Sequence, residues 1–432
     1  MQTSQILAIT IFVLTYVLIV VKPARINEAQ AALIGAVLTV FLLLRPHNVL
    51  EALGISTIEV PEPLVNTWNV LIILATLMVI STFLEDNGFF EYCAKLAIHS
   101  SNKSGEKLFL YTYLVVSMIS LFAGNDVVIL TTTPIILIFC KNAMIDPKPY
   151  MYASFFAANT FSMPLYIGNL TNILIGDSFR LEYFVFTKYM LLPTFAAAIV
   201  NYYMLKYIFK KQVPKSFNSK DEGIISIKNR LPAILGIGVL LAVIILGGIA
   251  NYFKIPLSVI TLSGALILIL FEQRIIYRLK RISWNVVIFV AGLFIVVKGL
   301  EVSNVADDIG NILFANISSN LAVATFQVSL LSAFMCNLVN NIPMTVMMLS
   351  ITQHAALIEQ MNTAMAYSLV IGSNLGANFT TFGALAGILW LESARRSGWS
   401  TTITDFLIIG LFVTPFAILA SSIILSVEFL IF

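Results

Sequence analysis

Charge is what this chain has least of. Of its 432 residues only 11% are Asp, Glu, Lys or Arg, while 59% are hydrophobic. A soluble domain carries about 25% charged residues, so this composition cannot build a water-facing surface, and the solvent must be lipid. Strict apolar–polar alternation is also missing, and the apolar runs outlast the strands of a transmembrane barrel. Cysteine is scarce. Cys93, Cys140 and Cys336 cannot all pair and no CxxC occurs, which argues against a disulfide framework or a zinc site. His47, His99 and His354 lack metal-ligand spacing, so no metal or other cofactor is expected. The opening MQTSQ has no positive charge and no small-residue cleavage site follows, so Ile6–Val21 reads as a retained helix and not as a secretion signal. Without paired acids, a Ser–His pair or a metal motif, an intramembrane enzyme has no support, and nothing suggests a nucleic-acid partner.

What remains is an all-α polytopic membrane protein. A span needs roughly 20 apolar residues, somewhat fewer where flanking side chains snorkel. The runs fall near 5–21, 30–44, 68–84, 150–178, 184–209, 231–250, 256–271, 284–300, 364–392 and 403–430. Two further regions, 107–142 and 321–357, are interrupted by polar knots: Gly124-Asn125-Asp126 and Asn340-Asn341. The arms flanking the first knot are each about 21–22 Å long as helices, too short to cross a core of about 30 Å. Each region therefore reads as a re-entrant hairpin that turns near the midplane, where broken backbone is tolerated only against protein or a wet cavity.

The chain also repeats. Trp68-Asn69-Val70-Leu71-Ile72 returns as Trp284-Asn285-Val286-Val287-Ile288, 216 positions later, and Asn125 and Asn341 have the same separation. Gly168-Asn169-Leu170 is echoed by Ser373-Asn374-Leu375, and Pro193-Thr194-Phe195 by Pro415-Phe416. An odd number of crossings separates the copies, which predicts two inverted halves, 1–209 and 231–432, each with a hairpin and a broken helix (150–178 and 364–392). A polar segment, 210–230, joins them as a solvated linker. Twenty of the 25 Lys and Arg fall on the linker's side; the other side holds Glu51, Glu59, Glu62, Asp307 and Asp308. By the positive-inside rule the linker is cytoplasmic and both termini are outside the cell membrane.

Inverted repeats with broken helices place a transporter's site at their interface. Frayed helix ends there offer N–H groups to anions or neutral oxygens and carbonyls to cations, and Asn side chains add donors and acceptors. The expected lining is Asn125, Asn169, Asn172, Asn340, Asn341, Asn374 and Asn378, with Thr171, Thr345, Thr380 and Thr381 as secondary candidates. Such Asn residues also serve as glue between helices. Asp126 is the carboxylate at a repeat-derived tip, and its counterpart is Ile342. Ionised groups in lipid are costly and usually functional. Asp126 can couple proton flow to transport, cap a helix, or do both. Cys336, one turn before Asn340, reads as packing.

The stretches EDNGFFEYCAKLAI, AGNDVVILTTTPI, GNLTNIL, WNVVIFVAGLFIVVKGL, LVNNIPMTV and GSNLGANFTTFGALAGILWL together resemble the ArsB-type arsenite permeases of the ArsB/NhaD ion transporter superfamily. The resemblance runs from about residue 5 to the C-terminus. It implies export of arsenite and antimonite as neutral trihydroxides in exchange for protons, by alternating access, with a cytoplasmic ATPase in some relatives and none in others. The chain departs from that pattern at the second break, where an acid and a lysine are replaced by Asn374 and Asn378. That leaves open a sodium- or proton-coupled anion symporter of the divalent-anion type, or a sodium/proton antiporter.

Overall fold

The structure is a computed structural model that describes residues 3–21, 26–44, 67–218, 227–271, 280, 282–314, 317–354 and 359–431. His47, Glu51, Glu59, Glu62 and the linker's centre lie outside the described residues. Among the described residues the chain is helical throughout, with no strand. The first half runs α1 Thr3–Val21, α2 Glu28–Leu42, α3 Thr67–Asp86, α4 Phe89–Ser100, α5 Gly105–Ser120, α6 Asn125–Asn142, α7 Lys148–Phe161, α8 Leu170–Ser178 and α9 Tyr183–Phe209. The second runs α10 Arg230–Tyr252, α11 Leu257–Leu270, α12 Trp284–Val302, α13 Val305–Phe314, α14 Leu321–Val339, α15 Asn341–His354, α16 Glu359–Leu375, α17 Leu385–Arg396 and α18 Ile403–Ile431.

The same order of helices therefore occurs twice. The packing is reciprocal as well: α2 lies on α12 as α11 lies on α3, and α6 meets α17 as α15 meets α8. The equivalent helices α9 and α18 lie against each other and run antiparallel. Tyr189 stacks on Phe429 with ring centroids 4.8 Å apart, and farther along the pair Ser421 Oγ donates to the Pro193 carbonyl at 2.7 Å.

Local chemistry explains where helices start and stop. Asn27 and Gln30 form a reciprocal capping box on α2, and Asn320 caps α14 through the Ala322 and Val323 N–H groups. The breaks fall where the sequence indicated. α7 ends at Phe161 and α8 begins at Leu170; α16 ends at Leu375, passes through a 3₁₀ turn at Gly376–Asn378, and resumes at Leu385. Gly168 is demanded by space, because a Cβ there would sit 2.4 Å from the Ser162 carbonyl oxygen. Two helices have no counterpart in the sequence reading: α4 and α13, which precede the hairpins. Both are short and amphipathic, a pattern that a search for long apolar runs passes over.

One equivalence needs correction. Asn169 stands just before α8, whereas Asn374 lies in the last turn of α16. By helix position the partner of Asn169 is Ala384, which just precedes α17. The two Asn-Leu motifs are thus not repeat mates, although their side chains touch.

α7 and α16 occupy the centre. Every residue from Pro149 to Phe161 is buried, as is every residue from Ala364 to Phe379. Helices apolar all round are interior helices. Around them, helices such as Arg230–Ala250 and Ile403–Ile431 are long and apolar enough to cross a membrane, and they turn Ile245 and Phe416 outward. The first hairpin does fold back on itself: Leu108, Thr112 and Val116 of α5 line a small cavity with Cys140, Ile136 and Thr132 of α6. At the hairpin's base the linker is strapped on. The Phe217 N–H donates to the Lys103 carbonyl at 3.0 Å, and its ring meets Phe139 edge-on. The linker's far end is tied by Asn229 Nδ2 to Asn87 Oδ1 at 3.0 Å. Lys206 with Glu106 and Lys148 with Asp405 are paired at this same basic end.

Candidate functional site

The two central helices carry the polar residues. Asn374, in the last turn of α16, accepts at Oδ1 from Ser162 Oγ and from Asn169 Nδ2, both at 2.8 Å. Its Nδ2 donates to Asn172 Oδ1 and to the Val370 carbonyl, again at 2.8 Å. Asn172 in turn donates to the Ser162 and Leu165 carbonyls, closing the first break. Ser373 Oγ donates to Thr171 Oγ1 at 3.2 Å. Asn169 accepts the Thr171 N–H as the cap of α8. In a water-poor interior each of these amides would be costly if left unpaired, so Asn169, Asn172 and Asn374 sew the two breaks together.

A second branch starts at the tip of hairpin 1. Asn125 Nδ2 donates to Asn159 Oδ1 at 2.8 Å, and Asn159 Nδ2 donates to Asn378 Oδ1 at 3.0 Å. The tip of one half is thereby joined, through the central helix α7, to the break of the other. Asn125 Oδ1 accepts the Asp126 N–H at 3.0 Å. The Asp126 carboxylate is partly buried in the first turn of α6, the helix that packs against α17.

The tip of hairpin 2 is tied differently. Asn340 adopts φ +69°, a left-handed backbone, and its Nδ2 donates to the Phe382 carbonyl at 3.3 Å. Asn337 donates to the Gly376 carbonyl at 2.9 Å and accepts from Thr380 Oγ1 at 2.6 Å. Tyr16 of α1 donates to the Val339 carbonyl. Thr345 bonds back to the Asn341 carbonyl in its own helix. Cys336 is fully buried, with its Sγ 3.8 Å from the Gly372 carbonyl, as packing requires.

The expected residues thus divide. Asn125, Asn169, Thr171, Asn172, Asn374 and Asn378 form a connected region; Asn340 and Thr380 belong to the second tip, and Asp126 to the contact between α6 and α17. Asn159 and Asn337 were missed. Each sits in the last turn of a helix, just before the break or tip, and a lone Asn in an apolar run was signal enough. Asn378 Nδ2, Asn341 Oδ1 and Thr381 Oγ1 are buried and have no partner. Unpaired buried polar atoms call for an explanation, and a polar solute supplies one. The bonded network itself is made of neutral amides and hydroxyls, with the Asp126 carboxylate at its edge.

Comparison with known proteins agrees with this architecture. The citrate transporter family (CitMHS) profile matches residues 16–372. The chain is 28% identical to an arsenical pump membrane protein of Escherichia coli over 413 residues, covering 92% of each chain. A protein of the same description from Yersinia enterocolitica is 28% identical over 90% of each chain. A 46 kDa membrane protein of Mycobacterium leprae is 26% identical over 99% of each. Among solved structures, the YdaH transporter of Alcanivorax borkumensis superposes with a TM-score of 0.52 at 14% identity, over 82% of this chain and 84% of that one. MtrF of Neisseria gonorrhoeae gives 0.51 at 12% identity over 97% of each. At such identities the likeness speaks for the fold alone. A profile match over most of the chain, on a polytopic helical frame with two broken helices, means that the protein belongs to the citrate transporter family of membrane transporters, as an ArsB-type permease.

Proposed function

We propose that the protein is a secondary active transporter exporting arsenite and antimonite, as neutral trihydroxides, across the cell membrane in exchange for protons. The observation that carries this reading is the place of Asp126: a lone carboxylate beside a neutral, amide-rich network, at the contact between one half's hairpin tip and the other half's broken helix. A neutral polyhydroxyl solute both donates and accepts hydrogen bonds. Unpartnered Asn378 Nδ2 and Asn341 Oδ1 supply one of each kind. A carboxyl that is alternately neutral and ionised gives the counter-flow of protons a carrier, and the proton gradient supplies the energy. The repeated helix order and the antiparallel packing of α9 on α18 support inverted halves, and with them alternating access about a midplane site and re-entrant hairpins. The basic end at the linker supports a cytoplasmic linker and external termini. The relatives described as arsenical pump membrane proteins support the solute.

A second reading is favoured by the description of the matched family: sodium- or proton-coupled uptake of an anion such as a carboxylate. One experiment separates the two. Expressed in a metalloid-sensitive cell lacking its own exporter, the wild-type protein lowers accumulated arsenite, and Asp126→Asn abolishes this while still inserting in the membrane. Unchanged arsenite together with uptake of sulfate, phosphate or a dicarboxylate assigns the protein to the second reading.

A further inference from the structure

At the basic end of the molecule, six exposed lysines come from three separate stretches of chain. Lys103 and Lys107 stand at the entry to hairpin 1, Lys141 at its exit, and Lys210, Lys211 and Lys215 just beyond α9. The start of the linker brings the three stretches together. The Phe217 N–H donates to the Lys103 carbonyl at 3.0 Å, and the buried Phe217 ring meets Phe139, two residues before Lys141. Pro214 lies on Gly105 so closely that a Cβ there would run into the Pro214 carbonyl oxygen. Lys215 is therefore one residue from a contact with the first turn of α5, which also bears Lys107. The acids around this corner are engaged elsewhere. Glu106 pairs with Lys206 at 3.8 Å, Asp146 accepts the Lys148 N–H at 2.9 Å, and Asp405 pairs with Lys148.

Helix α9 marks the depth at which the corner lies. Its outward stripe reads Leu192, Phe195, Ile199, Tyr203 and Tyr207, spaced three or four residues apart, and Lys210 and Lys211 follow. Apolar side chains, then tyrosines, then lysines is the order in which a helix leaves hydrocarbon through the headgroups. The lysines thus stand level with the lipid phosphates. Like charges crowded there repel unless an anion lies between them, and lysine clusters beside a helix exit attract anionic lipids. We propose that this corner is a binding site for the headgroup of an anionic phospholipid, built jointly by the linker's docked start and the base of hairpin 1. The other hairpin offers no equivalent, because 305–354 contains no Lys or Arg. One hairpin base of the two is therefore tied to charged lipid. The site stands whichever solute the protein carries.

The test uses the full chain in phosphatidylcholine nanodiscs with a trace of nitroxide-labelled lipid, either phosphatidylglycerol or phosphatidylcholine. The immobilised fraction of the label reports association with the protein. The parent holds phosphatidylglycerol about fivefold more strongly than phosphatidylcholine, the attraction of a single surface lysine. The preference collapses in about 1 M salt, where charges are screened within about 3 Å. Lys210→Gln, Lys211→Gln and Lys215→Gln together bring the two lipids to parity. Lys228→Gln, Arg230→Gln and Lys280→Gln together, an equal loss of charge elsewhere at the basic end, leave the preference intact. Phe217→Ala keeps every lysine but undocks the linker's start, and weakens the preference. Equal association of both lipids with the parent overturns the site. An equal loss from the two triple variants also overturns it, since diffuse charge then suffices. A preference untouched by Phe217→Ala overturns the part played by the docked linker.

Discussion

The two hairpin tips occupy matching places in the two halves, yet they are anchored in opposite ways. Tip 2 is knit chiefly to its own half, with Tyr16 of α1 reaching the Val339 carbonyl from the other. Asn337 and Asn340 reach the Gly376 and Phe382 carbonyls, Thr380 closes onto Asn337, and Gly376 is so close that a Cβ would lie 2.6 Å from the Ala333 Cα. Tip 1 is held by a chain of amide side chains that leads into the other half, Asn125 through Asn159 to Asn378. Backbone-dense anchoring makes hairpin 2 and the second break one body. A side-chain strut of three amides, with an ionisable Asp126 beside it, makes hairpin 1 a part that can be released from it. Equivalent folds thus divide into a fixed and a switchable partner through a handful of residues.

The sharpest way to break this comparison is to remove the charge on one side and disturb the neutral position on the other. Asp126→Asn removes the proton-carrying group of tip 1, and export in everted vesicles should be lost. Ile342→Val, at the matching position, trims one methylene at a cost of about 0.5–1.5 kcal/mol of stability and should leave the pH profile of transport unmoved. Similar losses from both variants would mean the tips are not divided as described.

Next in size is the network between the breaks. Asn374→Ala removes five hydrogen bonds at once and strands Asn169 Nδ2 and Asn172 Oδ1 in a buried interior. Each orphaned group costs about 1–3 kcal/mol, so thermal unfolding in detergent should shift down clearly, with the protein poorly folded at worst. Asn378→Ala, by contrast, strands Asn159 alone. It should lose less stability but more solute affinity, read as a raised KM. Smaller again is the glycine pair. Gly168→Ala pushes a methyl into the Ser162 carbonyl, an overpacking cost of about 1–3 kcal/mol. Gly124→Ala at tip 1 meets nothing within 4 Å and should stay within about 0.5 kcal/mol of the parent. Equal melting shifts for the two glycines would contradict a tightly closed first break beside an open tip.

The sequence made the architecture readable because lipid imposes its own rules. Long apolar runs, the Trp68 and Trp284 motifs and the Gly- and Pro-marked interruptions placed the long helices and the interruptions between them to within a few residues. The short amphipathic helices α4 and α13 escaped, since their apolar faces are too narrow to register as spans. The site was legible as a set of residue types but not as a wiring diagram. Asn169 and Asn374 looked like repeat mates because both precede a Leu, yet one starts a helix and the other ends one. Asn159 and Asn337 carry much of the wiring from the last turns of their helices, just before the break and the tip. The bond from Asn159 to Asn378 joins residues far apart in the chain, and no local pattern announces it.

The smallest expected effect tests how firmly tip 2 is fixed. Asn340 holds φ +69° and ψ 153°, a region that glycine enters freely and that costs other residues about 1–3 kcal/mol. Asn340→Gly relieves that strain and gives up the bond to the Phe382 carbonyl, worth about 0.5–1.5 kcal/mol. The two terms oppose each other, so the melting temperature should barely move. Transport is then the informative reading. If tip 2 is held by Asn337, Thr380 and the close glycine contacts, export persists in Asn340→Gly at nearly the parent rate. If the rate collapses while stability stays level, the strained Asn340 backbone itself is part of the working tip, and both tips must be counted as moving.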